Sequence, residues 1–208
     1  MPQSKTAALA ALKERGRALI HEVYGSREKA VVFGEGNPSA AILLVGEAPG
    51  EQEALQGRPF VGKAGKNLDG FLTTLELQRE DIWITNVVKF RPVKAHPRTG
   101  GLSNRPPTGE EIELCFHLLV SEIEIIRPQV VVTLGNVALK AVSDDRKLAI
   151  GACHGQPRRT ELHGAGFVLF PLYHPASIIY NRELAAVYQA DLAALREYLD
   201  QNHPPVTK

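Results

Sequence analysis

At 208 residues and 44% hydrophobic content the chain is long enough to bury a full core, and its net charge of +1 singles out no partner. The longest apolar runs, AILLV and VVVTL, are far too short to cross a bilayer, the N-terminus carries no signal-peptide core, and the two cysteines, Cys115 and Cys153, form no C-x-x-C pair. A membrane protein, a disulfide framework and a cysteine-built metal site are thereby set aside, and the expectation is a cytoplasmic α/β protein with one domain over residues 1–208, of which 1–30 form a helical segment.

In chain order, AALAALKERGRALIHEV repeats apolar residues at helical spacing and predicts an amphipathic helix. Residues 41–45 are a continuous apolar run between Pro38 and GEAPG, which predicts a buried parallel strand ending in a turn. A helix is expected over 66–77 and a second buried strand, IWITNVV, over 82–88. RPVKAHPRTGGLSNRPPT then reads as a loop. Thr108-Gly109-Glu110-Glu111 is a capping box opening a helix that Pro128 stops near Arg127. A third strand is predicted over 129–134, followed by Gly135 and a short helix; a fourth over 166–171 ends in LYHPAS, and a helix over 182–199 closes the chain. Strands separated by helices predict a three-layer α/β/α sandwich with a central parallel four-stranded sheet.

Residues 57–63, GRPFVGK, fit the first seven positions of a nucleotide-triphosphate loop. The eighth position, Ala64, offers Mg²⁺ no hydroxyl, and the preceding GEQEALQ carries no strand signal, so both features argue against ATP. The charge is unevenly placed. No acid lies between Asp81 and Glu110, where Lys89, Arg91, Lys94, Arg98 and Arg105 accumulate beside His96, and a second acid-free stretch holds Arg146, Lys147, Arg158 and Arg159. Two basic loops on a near-neutral body fit a phosphate-backbone binder, and solubilising surface charge fits them equally.

In parallel sheets ligands sit beyond the carboxyl ends of the strands. GEAPG, Asn86, Gly135-Asn136 and His174-Pro175 stand at those ends, which gathers Glu47, Asn86 and His174 toward one rim. Taken singly, such residues are usually solvated, bonded to backbone or capping a helix, and they name no reaction.

GEAPGEQEALQGRPFVGKAGKNLDGFL, ITNVVKFRP and HPASII, in this order and spanning about Phe33 to Leu195, resemble the uracil-DNA glycosylase superfamily, and within it the family 4 bacterial and archaeal enzymes. The resemblance implies an enzyme that flips uracil out of DNA and excises it hydrolytically at the start of base excision repair, a reaction that needs no metal or nucleotide cofactor; a monomer is expected. It places Gly46, Ala48, Phe60 and Asn86 at the base, and Glu47 and His174 at the chemistry. DNA contacts would come from Pro49, Gly50, Arg58, Lys89, Arg91, Arg98, Pro175, Ser177 and Ile178, with Ile178 or Ile179 as a wedge. Extruding a base costs a few kcal/mol; Phe60 would restore stacking, and the Asn86 amide would complement N3–H and O4 of uracil while mismatching cytosine. His174 would stabilise the uracil anion near O2, and Glu47 would hold or deprotonate water. Two alternatives stay open: a non-turnover or covalent uracil-DNA binder acting through His96, and a small-nucleotide-binding α/β protein.

The sequence also departs from the family. Family 4 enzymes usually hold a four-cysteine iron–sulfur cluster, with two ligands near the N-terminus, one after NVVK and one in the following helix. Here the N-terminal stretch has no cysteine, Phe90 follows NVVK, and Cys115 stands alone on the apolar side of its helix, so a cluster-free protein with Cys115 in the core is expected. Ala48 and Gly50 occupy the places where the best-studied branch of the superfamily carries a water-positioning Asp and a thymine-excluding aromatic, which leaves water activation to Glu47.

Overall fold

A computed structural model describes residues 4–25, 29–95, 100–143, 145–177 and 183–202. The first helix, α1 (Lys5–Tyr24), is capped by Ser4, whose side chain accepts from the Ala7 N–H. There follow β1 (Glu35–Gly36), β2 (Ile42–Gly46), the short helix α2 (Glu51–Gln56), α3 (Lys63–Thr74), a 3₁₀ turn at Arg79–Asp81 and β3 (Trp83–Asn86). The long basic segment contains a hairpin, β4 (Val93–Ala95) against β5 (Leu102–Asn104), and leads into α4 (Gly109–Ile126). The capping box forms as its spacing predicts: the Thr108 hydroxyl accepts from Glu111 N–H, and the Glu111 carboxylate accepts from Thr108 N–H. The chain continues through β6 (Val130–Leu134), α5 (Gly135–Ser143), α6 (Ile150–Cys153), β7 (Arg158–Leu162), β8 (Ala165–Leu172) and α7 (Leu184–Asn202).

The main sheet has six strands in the order β1-β3-β2-β6-β8-β7. The four strands expected from apolar runs form its parallel centre, β3-β2-β6-β8. The expected strand count is corrected by two antiparallel edges, β1 on β3 and β7 on β8. β1 is only two residues long, and β7, RRTEL, is polar and mostly exposed, so neither presents an apolar run. Edge strands that expose charge resist pairing with other chains.

Alternation along the central strands builds a core on each face. Leu43, Val45, Val131 and Leu169 face α1, α4 and α5, where Leu12, Leu119, Ile123 and Leu139 meet them. Leu44, Val132, Phe170 and Leu172 face α3 and α7, with Leu68, Phe71, Leu192 and Leu195. Helices on both faces make the three layers. Among the described residues no helix is long and apolar enough to cross a membrane.

Candidate active site

The parallel register brings the carboxyl ends of β2 and β3 side by side, with Gly46 opposite Asn86. Past β2, the Val87 and Val88 N–H groups hold the carbonyls of Gly46 and Glu47, so GEAPG begins as a continuation of the sheet. A Cβ at Gly46 would collide with Asn86 Oδ1 and the ring of Phe60. Only glycine lets those two side chains meet there. Asn86 and Phe60 are 3% and 4% exposed, and among the described residues no hydrogen bond engages the Asn86 side-chain amide.

Phe60 lies between α2 and α3, on the stretch that resembles a phosphate loop. The element before that stretch is the helix α2 and not a strand, as the lack of a strand signal suggested. Phe60 is left-handed at φ 54°, an uncommon conformation for an aromatic residue. Its ring stacks near His174 at 6.1 Å and 28°. His174, just beyond β8, accepts the Ala176 N–H on Nδ1 at 3.1 Å, which leaves the proton on Nε2. Burial holds its pKa down at about 4, against a weaker opposing pull from the Glu53 carboxylate, so the ring is neutral at pH 7. Turn bonds fix its loop: Ser177 N–H to His174 O at 2.8 Å, and Asn67 Nδ2 to Pro175 O at 3.0 Å.

Glu47 and His174 line one open cleft of about 320 Å³ with Ala48, Pro49, Gly50, Asn104 and Arg105. Burial pushes the Glu47 carboxyl upward, and among the described residues nothing hydrogen-bonds it. Asn104 belongs to the hairpin, which the Pro/Gly-rich sequence presented as a plain loop, and its Oδ1 accepts from Arg91 Nε at 2.7 Å. Sequence reasoning missed it, and also missed Glu53 on α2, a buried carboxylate that accepts N–H groups from Gly50, Val61 and Gly62 at 3.1, 3.0 and 2.7 Å.

The expected DNA-contacting set divides. Pro49 and Gly50 line the cleft, and Pro175 and Ser177 follow His174. Arg58 is exposed but paired bidentately with Glu35 on β1, and Arg91 is paired with Glu51. Lys89 is corrected: its side chain is fully buried, with Nζ donating to Glu122, Thr85 Oγ1 and the Asn86 carbonyl. A lysine so enclosed presents no charge to a phosphate. With Arg105 bound to Glu111, three of the five cations in the acid-free window are matched by acids that lie outside it, which weakens the reading of that window as free positive charge. Lys94 remains exposed. His96, Arg98, Ile178 and Ile179 lie outside the described residues.

The residues present do not fit the iron–sulfur cluster that the family 4 resemblance implies. Phe90 is fully buried, its ring 5.1 Å from Tyr24, with Lys29 Nζ over both rings and 4.0 Å from Glu111. Burial raises the pKa of Cys115, which accepts the Lys89 N–H, and it is the one thiol in this seam between α1, β3 and α4. Among the described residues no three metal-binding side chains gather.

Comparison with known proteins gives a match over residues 33–200 to the model of the uracil DNA glycosylase superfamily. The chain is 39% identical to the type-4 uracil-DNA glycosylase of Archaeoglobus fulgidus over 83% of its own length and 84% of the relative's. It is 40% identical to the type-4 uracil-DNA glycosylase of Thermotoga maritima, over 81% and 83%. A type-5 uracil-DNA glycosylase of Pyrobaculum aerophilum is 32% identical over 70% and 66%.

Proposed function

The chain belongs to the uracil DNA glycosylase superfamily, and from that premise we propose that it excises uracil from DNA by hydrolysis of the N-glycosidic bond, after extruding the nucleotide, in base excision repair. One observation carries the reading onto this chain's residues: a Glu47 carboxylate without a hydrogen-bond partner among the described residues and a neutral His174 ring share one cleft, next to Asn86 and Phe60, which meet at Gly46.

The chemistry follows from that arrangement. As the C1′–N1 bond breaks, its electron pair leaves with uracil and positive charge develops on the sugar. The Nε2–H of His174 donates to uracil O2, and a neutral imidazole does so without having to lose a charge or a proton. Glu47 accepts a proton from water as its oxygen bonds C1′, and its negative charge favours the oxocarbenium-like sugar. Asn104, across the cleft, is a second group able to orient that water. The Asn86 amide reads N3–H and O4 together, and a base with the reversed donor and acceptor leaves both ends of the amide unmatched.

An end-labelled oligonucleotide containing one uracil tests the reading. The expected result is alkali-labile breaks in molar excess over protein. Their absence on both single-stranded and duplex substrates overturns the proposal, and a gel-stable protein–DNA adduct in their place would move the chemistry to a covalent reaction.

A further inference from the structure

We propose that Glu53 and Arg79 are positioning residues for the aromatic floor of the site: together they grip the Phe60–Val61 peptide and so set the Phe60 ring against Gly46 and Asn86. The inference rests on the uracil-excision reading of the site and names the residues that preorganise it.

Glu53 is the third residue of α2, and its bond to Gly50 N–H is the ordinary back-bond of a helix start. A capping role needs nothing more. Its other carboxylate oxygen, however, leaves the helix and accepts two N–H groups from the following loop, Val61 at 3.0 Å and Gly62 at 2.7 Å. One buried carboxylate thus ties the turn that carries Glu47 to the loop that carries Phe60.

Arg79 takes the opposite end of the same peptide. Its Nη2 donates to the Phe60 carbonyl at 2.6 Å and its Nη1 approaches the Pro59 carbonyl at 3.4 Å, while Nε is held by Asp69 at 2.8 Å. The Phe60 carbonyl also abuts Gly65 so closely that a Cβ there would overlap it. With its C=O on Arg79 and its N–H on Glu53, the Phe60–Val61 peptide has one orientation available. A left-handed aromatic residue persists only where its surroundings over-determine it, and these contacts do so.

The test measures single-turnover uracil excision, affinity for uracil-free duplex, and thermal unfolding for the wild type, Glu53→Gln, Arg79→Lys and the double variant. Glutamine keeps the size but offers the loop one acceptor and one NH₂, so it opposes an N–H with a donor. The expected result is a fall in excision rate of about 100-fold for Glu53→Gln, the order that follows from small misplacement of a reacting group. Arg79→Lys falls in the same direction with unchanged duplex affinity. Because both act on one peptide, the double variant is expected to be no slower than the slower single variant. Wild-type rate per folded molecule in Glu53→Gln, or losses that multiply in the double variant, would overturn the inference. If Glu53→Gln does not fold, Arg79→Lys decides through its split between rate and affinity. A wild type that excises uracil while the variants match it places the failure here, whereas a wild type that excises none places it with the proposed function.

Discussion

Two carboxylates are buried near β3, and they are satisfied in opposite ways. Glu122, on α4, faces a cation: Lys89 Nζ lies 2.5 Å away, with Thr85 Oγ1–H at 2.8 Å and Gly34 N–H at 3.1 Å completing its shell. Glu53, at the rim, has three backbone N–H groups and, among the described residues, no cation. Adjacent residues of β3 serve the two regions, Thr85 in the seam with Glu122 and Asn86 at the rim with Phe60. An ion pair satisfies charge and joins α4 to the sheet, but it says little about the path of a loop. Backbone donors do the reverse, because they satisfy the carboxylate only if the loop runs where they point. The seam should therefore govern stability, and the rim should govern rate.

The sharpest break of that contrast is at Asn86. Asn86→Asp removes the only N–H donor the side chain can offer to O4 and opposes a carboxylate to an electron-rich oxygen. Excision of uracil per folded molecule is expected to fall by a factor on the order of 10⁴, read from single-turnover cleavage. A rate within tenfold of wild type would remove Asn86 from the base-reading role. The seam predicts the complementary outcome. Glu122→Ala strands a buried ammonium and should cost about 3–5 kcal/mol in denaturant unfolding, with excision per folded molecule little changed. A collapse of rate at full stability would mean that the two regions are not separable.

The contrast also explains what the sequence could disclose. The four central strands were legible because each is a short apolar run bounded by turn residues, and the rim residues followed from where those strands end. The hairpin was not, because VKA and LSN are three-residue strands without an apolar run inside a Pro/Gly-rich segment. Lys89 was misplaced because a charge between Val88 and Phe90 looks like part of a basic loop until its partner, 33 residues on, is known. Glu53's hold on the Phe60 loop left no signal: its spacing from Gly50 announces only a helix start, and the groups it binds beyond that are backbone N–H groups, which any sequence supplies. The placement of Glu47, Asn86 and His174 at the rim was legible because glycines, prolines and strand ends marked their positions.

A smaller effect comes from pH, and it sets Glu47 against His174. Burial raises the Glu47 pKa, so the carboxylate that the proposed water activation needs forms only as pH rises through a value above the ordinary 4.5. Burial lowers that of His174 to about 4, so its neutral donor is present throughout that range. The acid limb of the rate should therefore belong to Glu47 and flatten in Glu47→Gln, measured on the residual single-turnover activity. Stability has its own window. An unfolded His174 binds a proton near pH 6.5 and the folded one near 4, so its contribution to folding is complete above about 6.5 and is lost as pH falls toward 4. Denaturation midpoints that fall over this interval in the wild type and less so in His174→Phe would fit; identical slopes would not.

The smallest effect separates the cations. If Lys89 belongs wholly to the seam, its removal cannot alter the number of counterions released when DNA binds. Lys89→Met should therefore leave the slope of log affinity against log salt unchanged, although its loss strands Glu122 and lowers stability. Lys94 is exposed on β4, on the hairpin that carries Asn104 to the cleft. If it meets a phosphate, Lys94→Ala should reduce the slope by about 0.9 and leave the unfolding midpoint alone. Titration of duplex at several salt concentrations decides both. A shallower slope for Lys89→Met would require the buried lysine to reach DNA, which its enclosure by Thr85, Asn86 and Glu122 forbids without opening the junction of α4 with β3. The same lysine would then serve both regions, and the division between a seam that stabilises and a rim that reacts would fail at its simplest point.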